Sequence, residues 1–547
     1  MKRRAALFAA AFAAFLAVPE VASAYRFAVG LESGADVRAV VAELRNNGAA
    51  RVENLAPIPA LIVDAPGASS LAQIRGVRYV ERVASRRLAL TPTDPFVSRQ
   101  WYLTQSRFFE SWVTYPAFES VPVAVIDSGV DARHPELAGR ILDARSFVGG
   151  SARVDALGHG TFVAGLIAAD VDNGIGIAGL APPAQLLVAK VVTGARSIPV
   201  AAEARAIRWA VERGARVINM SLGGLRDPLD PDRDSFSRLE ADAVAYAVAN
   251  GVVVVAAVGN ANQAPTSPWR YASYPAALPH VLGVSAITQA GKVPKFSNRD
   301  RIFNDIAAPG EQILSIFPRP LTSRFPACSE QGFSSCGPEE YREAQGTSFA
   351  TPQVSAAAAI LLSLRPRLRP EQVTAILESA AVDVNSSTGC SACGVGRDAL
   401  TGWGRLDVAE AIAALSRPLP LRDGFEPNDD AGPRAAAISG SNRRLNATVD
   451  FWDDQDDVYA IRLRQGRRMY VGLTGFRPGA DLNLALWLPA TTSIEDVRSF
   501  RMRVRVSARP GGREYFSFQA RVTGTYFVQV RMSNPGTAPY RLIVVKG

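Results

Sequence analysis

The chain has 547 residues, of which 48% are hydrophobic and 20% charged, and its formal net charge is +9. This composition is globular and excludes a largely disordered chain. The length is too great for one hydrophobic core, so we expect two or three packed units. Beyond the N-terminus, the sequence holds no uninterrupted apolar run long enough to cross a bilayer.

Residues 1–24 have the organisation of a cleaved signal peptide. A basic run at 2–4 precedes an apolar stretch over 5–18, and small residues at 22–24 supply a cleavage site. The apolar stretch is too short to span a membrane, which disfavours a membrane anchor. The sequence therefore predicts export, to the periplasm or the extracellular space.

Residues 25–90 are predicted to form a small α+β unit with a split βαβ pattern, because segments of strand and helix periodicity alternate. The predicted elements are a strand at Tyr25–Leu31, a helix at Ala35–Asn46, strands within Ala50–Val63, a helix at Ser69–Arg75 and a strand at Val77–Val83.

Between residues 91 and 417, β-branched runs alternate with Ala-rich helical segments. The runs are apolar without alternation, which is typical of parallel strands covered by helices on both faces. They are Val121–Ile126, Leu186–Val192, Val217–Met220 and Gly251–Val258. Sites in such sheets form beyond the carboxyl ends of the strands. Asp127 directly follows the first run and Asn260 follows the last, so both lie where a site is expected.

Three short motifs carry an Asp, a His and a Ser in that order. Asp127 lies in Val-Ala-Val-Ile-Asp-Ser-Gly, His159 in Gly-His-Gly-Thr and Ser348 in Gly-Thr-Ser-Phe-Ala-Thr-Pro. Peptide hydrolysis needs a nucleophile, a base and a carboxylate that orients the base, and Ser348, His159 and Asp127 fit these roles. The chain order excludes the α/β-hydrolase and chymotrypsin-like arrangements. His134 and His280 lack such motifs and are predicted to be structural.

Two further features fit an anionic intermediate at Ser348. This residue is predicted to open a helix that runs through Leu361, and a helix N-terminus offers free N–H groups and a positive dipole end. Pro352 is expected in the first turn, where proline is tolerated. The side-chain amide of Asn260 is predicted to be the second oxyanion donor, beside the Ser348 N–H.

Together these motifs resemble those of the subtilisin-like serine peptidases (peptidase family S8) over about residues 94–415. The resemblance implies a doubly wound, mostly parallel α/β fold. It also implies a secreted, monomeric serine endopeptidase that forms an acyl-enzyme on protein or peptide substrates. It gives no reason to expect a catalytic cofactor or metal, a nucleic-acid partner or a membrane span.

By the same resemblance, two short segments line the substrate cleft. The first pairs with the substrate as an added strand and comprises Ser221, Leu222 and Gly223. The second forms the other wall of the pocket for the residue before the cut and comprises Ala256, Ala257 and Gly259.

The resemblance also bears on two neighbouring segments. Residues 25–90 are similar to the inhibitory propeptides of the family, which implies a cut by the enzyme itself between Ala84 and Thr93. The loop Asp172–Ile177 is similar to a structural calcium loop of the family. Its partner acid would be Glu136, at a position where the family usually has Asp.

From residue 418 onward, short strands separated by Gly, Asn and Asp turns predict an all-β sandwich over 418–547. Phe425–Asp430 and the acidic run Asp453–Tyr459 resemble the bacterial pre-peptidase C-terminal domain, and the acidic run is either a calcium site or a solvated turn. This part carries 19 basic and 13 acidic side chains, against 29 and 31 in residues 91–417. Arg501, Arg503 and Arg505 are predicted to share a strand face that either binds a polyanion or is simply solvated.

The four cysteines form an even set in a chain predicted to be exported, and local bridges Cys328–Cys336 and Cys390–Cys393 are expected. The surroundings of Cys390 favour a loop staple over a redox centre, since no thioredoxin-like βαβ context is present. Two alternatives to a protease stay open. One is a catalytically silent binding protein with the same fold. The other is an esterase, which would need Gly where Ala350 stands.

Overall fold

The computed structural model describes residues 25–83, 92–112, 118–322, 339–417, 424–451 and 454–547. The predicted signal peptide, most of the predicted cut site and the pair Cys328 and Cys336 lie outside the described residues. The chain divides into two compact units, Met1–Leu88 and Ala89–Gly547.

The first unit has one helix and a four-stranded antiparallel sheet: β1 Tyr25–Leu31, α1 Val37–Asn46, β2 Arg51–Asn54, β3 Ala60–Ala65 and β4 Val77–Arg82. The sheet order is β2-β3-β1-β4. Strand β3 therefore lies between β1 and β2, which α1 connects, and this is the predicted split βαβ pattern. The predicted second helix is only a 3₁₀ turn, Leu71–Gln73, because the segment is too short to repay helix nucleation.

The second unit begins with an α/β part over residues 92–417. Its strands are β5 Val121–Asp127, β6 Ile141–Ser146, β7 Ala184–Lys190, β8 Val217–Met220, β9 Val253–Ala257, β10 Val281–Ile287, β11 Ile306–Pro309, β12 Ile313–Ile316 and β13 Tyr341–Ala344. Its helices are α2 Trp101–Gln105, α3 Phe108–Ser111, α4 His159–Ala168, α5 Val200–Glu212, α6 Arg238–Ala249, α7 Thr347–Leu364, α8 Pro370–Ala380 and α9 Val408–Ala414.

Seven of these strands form one parallel sheet in the order β11-β10-β9-β8-β5-β7-β6. Successive residues of β5 enter different cores: Val123 and Val125 pack with α4 and α7, whereas Ala124 and Ile126 pack with α5 and α6. Helices therefore cover both faces of the sheet, and this is why β5 is apolar without alternation. The prediction of a doubly wound, mostly parallel sheet is confirmed.

Helix α7 differs from the prediction in one detail, because Pro352 is its sixth residue and lies beyond the first turn. A proline there leaves the carbonyl of Ser348 without its helical N–H donor. The hydroxyl of Ser221 donates to that carbonyl at 2.7 Å and replaces the missing hydrogen bond. By length and composition α7 is also apolar enough to cross a membrane, although the sequence analysis found no such run. In the structure, however, 89% of this helix is buried inside the molecule.

The C-terminal part is a β-sandwich, as predicted. Its strands are β14 Ala436–Ala437, β15 Asn442–Asp450, β16 Asp456–Leu463, β17 Arg468–Gly475, β18 Leu482–Trp487, β19 Arg503–Ser507, β20 Arg513–Gln519, β21 Gly524–Met532 and β22 Thr537–Lys546. One sheet has the order β14-β16-β21-β18-β19 and the other β15-β22-β17-β20.

The prediction that Arg501, Arg503 and Arg505 share one strand face is wrong. Pairing with β18 begins only at Arg503. Arg501 lies in the preceding 3₁₀ turn, Val497–Met502, and is therefore not part of β19.

Both histidines that lack a catalytic motif have structural contacts. The Nδ1 atom of His134 accepts the backbone N–H of Glu136 at 3.3 Å and so shapes the loop after β5. The Nε2 atom of His280 lies 2.9 Å from Oδ1 of Asp429, which joins the α/β part to the sandwich. The sequence predicted structural roles for both but not the second partner, because Asp429 is 149 residues away along the chain.

Cys390 and Cys393 form a disulfide, as expected. Both side chains are buried beside Val384 in a small apolar cluster between α8 and α9. Because the bridge closes so short a segment, it fixes a loop and constrains little of the rest of the chain.

A buried carboxyl pair between α5 and α6 gives a prediction about stability. Glu203 and Glu240 are 4% and 5% exposed, and the two carboxyl groups influence each other's ionisation. Burial raises the pKa of Glu203 to about 7 and that of Glu240 well above its usual value. The neutral pair therefore stabilises the fold at low pH, and this contribution is lost as the pH rises through the raised pKa values.

We expect Glu240→Gln, which cannot ionise, to raise the free energy of unfolding at pH 9 by about 2 kcal/mol and to change it little at pH 5. Urea unfolding at the two pH values measures both quantities. Glu212→Gln, an exposed change on α5, is the control. Equal effects of the two variants at pH 9 would contradict the role of the buried pair.

Candidate active site

A cavity of about 280 Å³ lies beyond the carboxyl ends of β5, β8 and β9. After β5 the chain adds β6 and β7 on one side and β8 to β11 on the other, so the sheet changes direction between β5 and β8. Sites in open α/β sheets form at such a switch point. All four residues predicted to be catalytic line this cavity: Asp127, His159, Asn260 and Ser348.

Five of the six residues predicted to contact substrate line the same cavity, namely Ser221, Leu222, Gly223, Ala257 and Gly259. Ala256 does not, because it is fully buried in the core that the sheet forms with α5 and α6. Neighbouring residues on a strand point to opposite faces, so Ala257 and not Ala256 reaches the cavity.

Asp127 and His159 are in direct contact. The Nδ1 atom of His159 lies 2.9 Å from Oδ1 and 3.0 Å from Oδ2 of Asp127. Burial lowers the pKa of His159, but the Asp127 carboxylate outweighs burial, and the pKa lies above its usual value. In neutral His159 this contact places the proton on Nδ1, which leaves the Nε2 lone pair available as a base.

Two glycines allow His159 to approach Asp127. Gly158 has φ +90°, and a Cβ there would lie 2.2 Å from the ring of Phe317. At Gly160 a Cβ would lie 2.1 Å from the carbonyl oxygen of Gly129, in the segment that follows Asp127. Larger residues at these two positions would therefore displace His159, the first residue of α4.

Asp155 holds the start of α4 in place, a role that the sequence analysis did not predict. Its Oδ1 accepts the N–H of Gly158 at 2.8 Å and the hydroxyl of Ser128 at 2.9 Å, and its Oδ2 accepts the N–H of Thr161 at 2.9 Å. Orphan N–H groups at a helix start are thereby satisfied next to His159. The available signal was an acidic residue four positions before His159.

The hydroxyl of Ser348 donates to the backbone carbonyl of Ser221 at 3.1 Å. Since the hydroxyl of Ser221 donates to the carbonyl of Ser348, the two residues are joined by a reciprocal pair of hydrogen bonds. Behind them, Nδ2 of Asn219 donates to Oγ of Ser221 at 3.0 Å, and the hydroxyl of Ser355 donates to Oδ1 of Asn219 at 2.8 Å. Asn219 was also missed, although it is a polar residue inside an otherwise apolar strand.

The amide of Asn260 is oriented by the start of α7. Its Oδ1 accepts the backbone N–H of Thr347 at 3.1 Å and the hydroxyl of Thr347 at 3.2 Å. The N–H group can only donate, so the amide oxygen is the end that faces Thr347. The NH₂ end of Asn260 is thereby left as a donor at the cavity, beside the positive end of the α7 dipole.

Glu136 and the loop Asp172–Ile177 are in contact, but hydrogen-bond donors of the loop, and not oxygen ligands for an ion, face the Glu136 carboxylate. Oε1 of Glu136 accepts the N–H of Ile177 at 2.9 Å and the hydroxyl of Tyr341 at 3.2 Å, and Oε2 accepts Nδ2 of Asn173 at 3.1 Å. Calcium in proteins takes about six to eight oxygen ligands. Because donors already occupy both oxygens of Glu136, this arrangement does not fit the structural calcium ion that the sequence resemblance implied.

We therefore expect an excess of EDTA to remove no ion from the loop Asp172–Ile177 and, through this loop, to shift the melting temperature by less than about 2 °C. The measurement is differential scanning calorimetry of the Ser348→Ala variant, so that self-digestion does not contribute. A decrease of more than about 5 °C, restored by added calcium, would contradict the expectation.

A model of the subtilase family, peptidase S8, matches residues 119–404. The major intracellular serine protease of Bacillus subtilis (strain 168) is 37% identical over 260 residues, which are 46% of this chain and 72% of that protein. Thermitase of Thermoactinomyces vulgaris is 35% identical over 275 residues, or 50% of this chain and 86% of that protein. A solved protease structure from Pseudoalteromonas arctica covers 60% of this chain and 100% of its own, at 27% identity and a TM-score of 0.49. The chain belongs to the subtilase family of serine endopeptidases.

Proposed function

We propose that the chain is an exported endopeptidase that cleaves peptide bonds in proteins by acyl transfer to Ser348. The contact between Asp127 and His159, at 2.9 and 3.0 Å in a cavity that Ser348 and Asn260 also line, carries this proposal. The signal-peptide pattern at residues 1–24 supports export to the periplasm or the extracellular space.

In the first step, Nε2 of His159 takes the proton from the Ser348 hydroxyl while Oγ attacks the carbonyl carbon of the substrate. The negative charge that develops on the substrate oxygen is stabilised by the NH₂ group of Asn260 and the backbone N–H of Ser348. Protonated His159, stabilised by Asp127, then gives its proton to the departing amine. Water hydrolyses the acyl-enzyme by the same steps in reverse.

The cleft suits an extended peptide. Ser221 to Gly223 follow β8 at the cavity rim, and Gly223 has no side chain to block a strand laid beside it. Leu157, Val192, Ile198 and Leu222 give the cavity apolar walls. We propose that these walls accept apolar side chains of the substrate, while backbone pairing accounts for broad recognition of proteins and peptides.

Asn260→Ala is expected to lower kcat by about 10²- to 10³-fold and to change KM by less than about threefold. The donor acts on charge that exists only in the transition state, so ground-state binding is spared; the magnitude is carried over from subtilisin, a member of this family. Steady-state kinetics on a chromogenic peptide measures both constants. An unchanged kcat would remove Asn260 from the oxyanion site.

We also propose that residues 25–90 act as an inhibitory propeptide and that the enzyme itself cuts between Ala84 and Thr93. Wild type and Ser348→Ala, both expressed with the export signal, are compared by N-terminal sequencing and intact mass. Cleavage in that interval in wild type alone is the expected result. If both proteins are cut, another protease matures the chain. If neither is cut and neither hydrolyses casein, the fold is a silent binding protein.

A further inference from the structure

The surface of the C-terminal sandwich has a strongly asymmetric charge. Among residues 424–451 and 454–547, sixteen arginines are exposed, whereas none of the eleven carboxylates described there is. The carboxylates are partly or fully buried; Asp430 and Asp457, for example, have no exposed surface. Of the sixteen arginines, only Arg531 forms an ion pair, with Asp456 at 3.7 Å. The surface is therefore far more positive than the composition of this part indicates.

Part of this charge is organised on the outer face of the sheet β15-β22-β17-β20. Alternate residues of these strands are buried in the sandwich core, so the residues between them face outward. The register places Gly472 opposite Tyr515, and it places Thr474 between Arg541 and Arg513 on its two neighbouring strands. We call the outward group Arg444, Arg513, Arg541, Tyr470 and Tyr515 the arginine–tyrosine face.

The two tyrosines give this face flat, open platforms. Tyr470 is 48% and Tyr515 64% exposed. Gly472 lies opposite Tyr515 and two residues from Tyr470 on the same strand, and a Cβ added there would meet no atom within 4 Å, so the surface beside both tyrosines is open. The guanidinium of Arg509 lies 4.9 Å from the centre of the Tyr515 ring. An aromatic ring beside guanidinium groups offers stacking and ionic contacts to one ligand.

The ligand that matches this chemistry is a polymer of rings that carry acidic groups. Each guanidinium is a planar fork that pairs two hydrogen bonds with a carboxylate or a sulfate. Tyrosine rings pack against the apolar C–H faces of sugar rings and keep a hydroxyl at the edge. The signal-peptide pattern predicts export from the cytoplasm. Outside the cytoplasm, acidic polysaccharides rather than nucleic acids are the common polyanions.

We propose that the arginine–tyrosine face binds an acidic polysaccharide and thereby retains the endopeptidase on that polymer. The proposal does not depend on Ser348 or on the active cavity. It assigns the sandwich a binding role separate from hydrolysis, and that role holds whether or not the proposed maturation occurs.

The test uses the full chain carrying Ser348→Ala, with heparin as the probe and neutral dextran as the uncharged control, in calorimetric titrations at about 0.1 M salt. The face variant is Arg444→Gln/Arg513→Gln/Arg541→Gln. The matched control is Arg462→Gln/Arg503→Gln/Arg505→Gln, which removes the same charge from exposed arginines of the other sheet.

We expect the Kd for heparin to rise about tenfold in the face variant and less than threefold in the matched control. Both variants lose the same charge, but only the face variant loses direct contacts with the polymer. Tyr470→Ser/Tyr515→Ser, which changes no charge, is expected to raise the Kd about fivefold through loss of stacking. Dextran is expected not to bind.

Three results would overturn the proposal. One is the absence of heparin binding. Another is equal weakening by the two triple variants, which would mean that only diffuse charge acts. The third is tighter binding of a 30-base-pair DNA duplex with the same dependence on the face, which would assign the surface to nucleic acid. Melting temperatures verify that each variant is folded. If the triple variant is destabilised, Arg513→Gln is compared with the control Arg505→Gln, and the proposal again requires the higher Kd in the face variant.

Discussion

Ser348→Ala is expected to lower kcat on a peptide substrate about 10⁶-fold, to the residual rate that the oxyanion donors and substrate binding support without a nucleophile. In the proposed mechanism the hydroxyl oxygen of Ser348 becomes acylated, and alanine offers no nucleophile in its place. The magnitude is that of the equivalent loss in subtilisin, carried over to this relative. Burst-phase and steady-state kinetics on an activated peptide ester and a peptide amide measure the loss.

The matched control is Ser441→Ala, an exposed serine of the sandwich, which should retain full activity. The Ser348 variant should also keep the wild-type melting temperature within about 3 °C, since its hydroxyl makes a single hydrogen bond. Residual activity above about 1% of wild type in a protein free of contaminating protease would remove Ser348 from the role of nucleophile.

Asp127→Asn is expected to lower kcat about 10⁴-fold at neutral pH, with little change in structure. An amide facing Nδ1 of His159 stabilises the tautomer whose Nε2 carries the proton, and that tautomer cannot act as the base. The carboxylate also raises the pKa of His159. The acid limb of kcat/KM should therefore move to lower pH in the variant, in addition to the lower maximum.

The pH profile separates this role from a merely structural one. Wild-type kcat/KM should fall as the pH drops through the raised pKa of His159, because the protonated imidazole has no lone pair to accept a proton. Asp143→Asn, a partly exposed change on β6, should leave the profile unchanged. A loss of less than tenfold, or an unmoved acid limb, would contradict the role assigned to Asp127.

That Asp127, His159, Asn260 and Ser348 line one cavity was predictable, because short motifs mark the first, second and last of them and because the strands before Asp127 and Asn260 are unbroken apolar runs. Side-chain partners at a distance were not predictable. The contact of Asp155 with Ser128 and the contact of Asn219 with Ser355 join segments that are far apart in sequence. No periodicity reports such pairs, since each partner looks like an ordinary polar residue in its own segment.

Two details differ from the predictions, each for its own physical reason. In a fully buried strand both faces are apolar, so the sequence does not distinguish Ala256, which faces the core, from Ala257, which faces the cavity. The proline at position 352 was placed in the first turn because sequence does not reveal where α7 begins. In the structure a hydroxyl from Ser221 satisfies the freed carbonyl, so proline is tolerated deeper in the helix.

The net charge of the sandwich was readable from the sequence, but its surface charge was not. Composition counts buried and exposed carboxylates alike. In the structure the acidic side chains are partly or fully buried, whereas sixteen arginines are exposed. For this reason the sequence attached the polyanion-binding alternative to Arg501, Arg503 and Arg505, whereas the proposed test assigns binding to arginines of the other sheet and uses Arg503 and Arg505 in its control.

The reciprocal hydrogen bonds between Ser221 and Ser348 limit how this enzyme can change its preference for substrates. A substitution that moves the backbone at Ser221 to admit a different peptide also displaces Ser348, the proposed nucleophile. Altered selectivity at this position is therefore expected to come with slower turnover. Leu157 and Ile198 line the same cavity but take no part in this pair. Evolution, or an engineer, can retune the enzyme at those two positions without disturbing its chemistry.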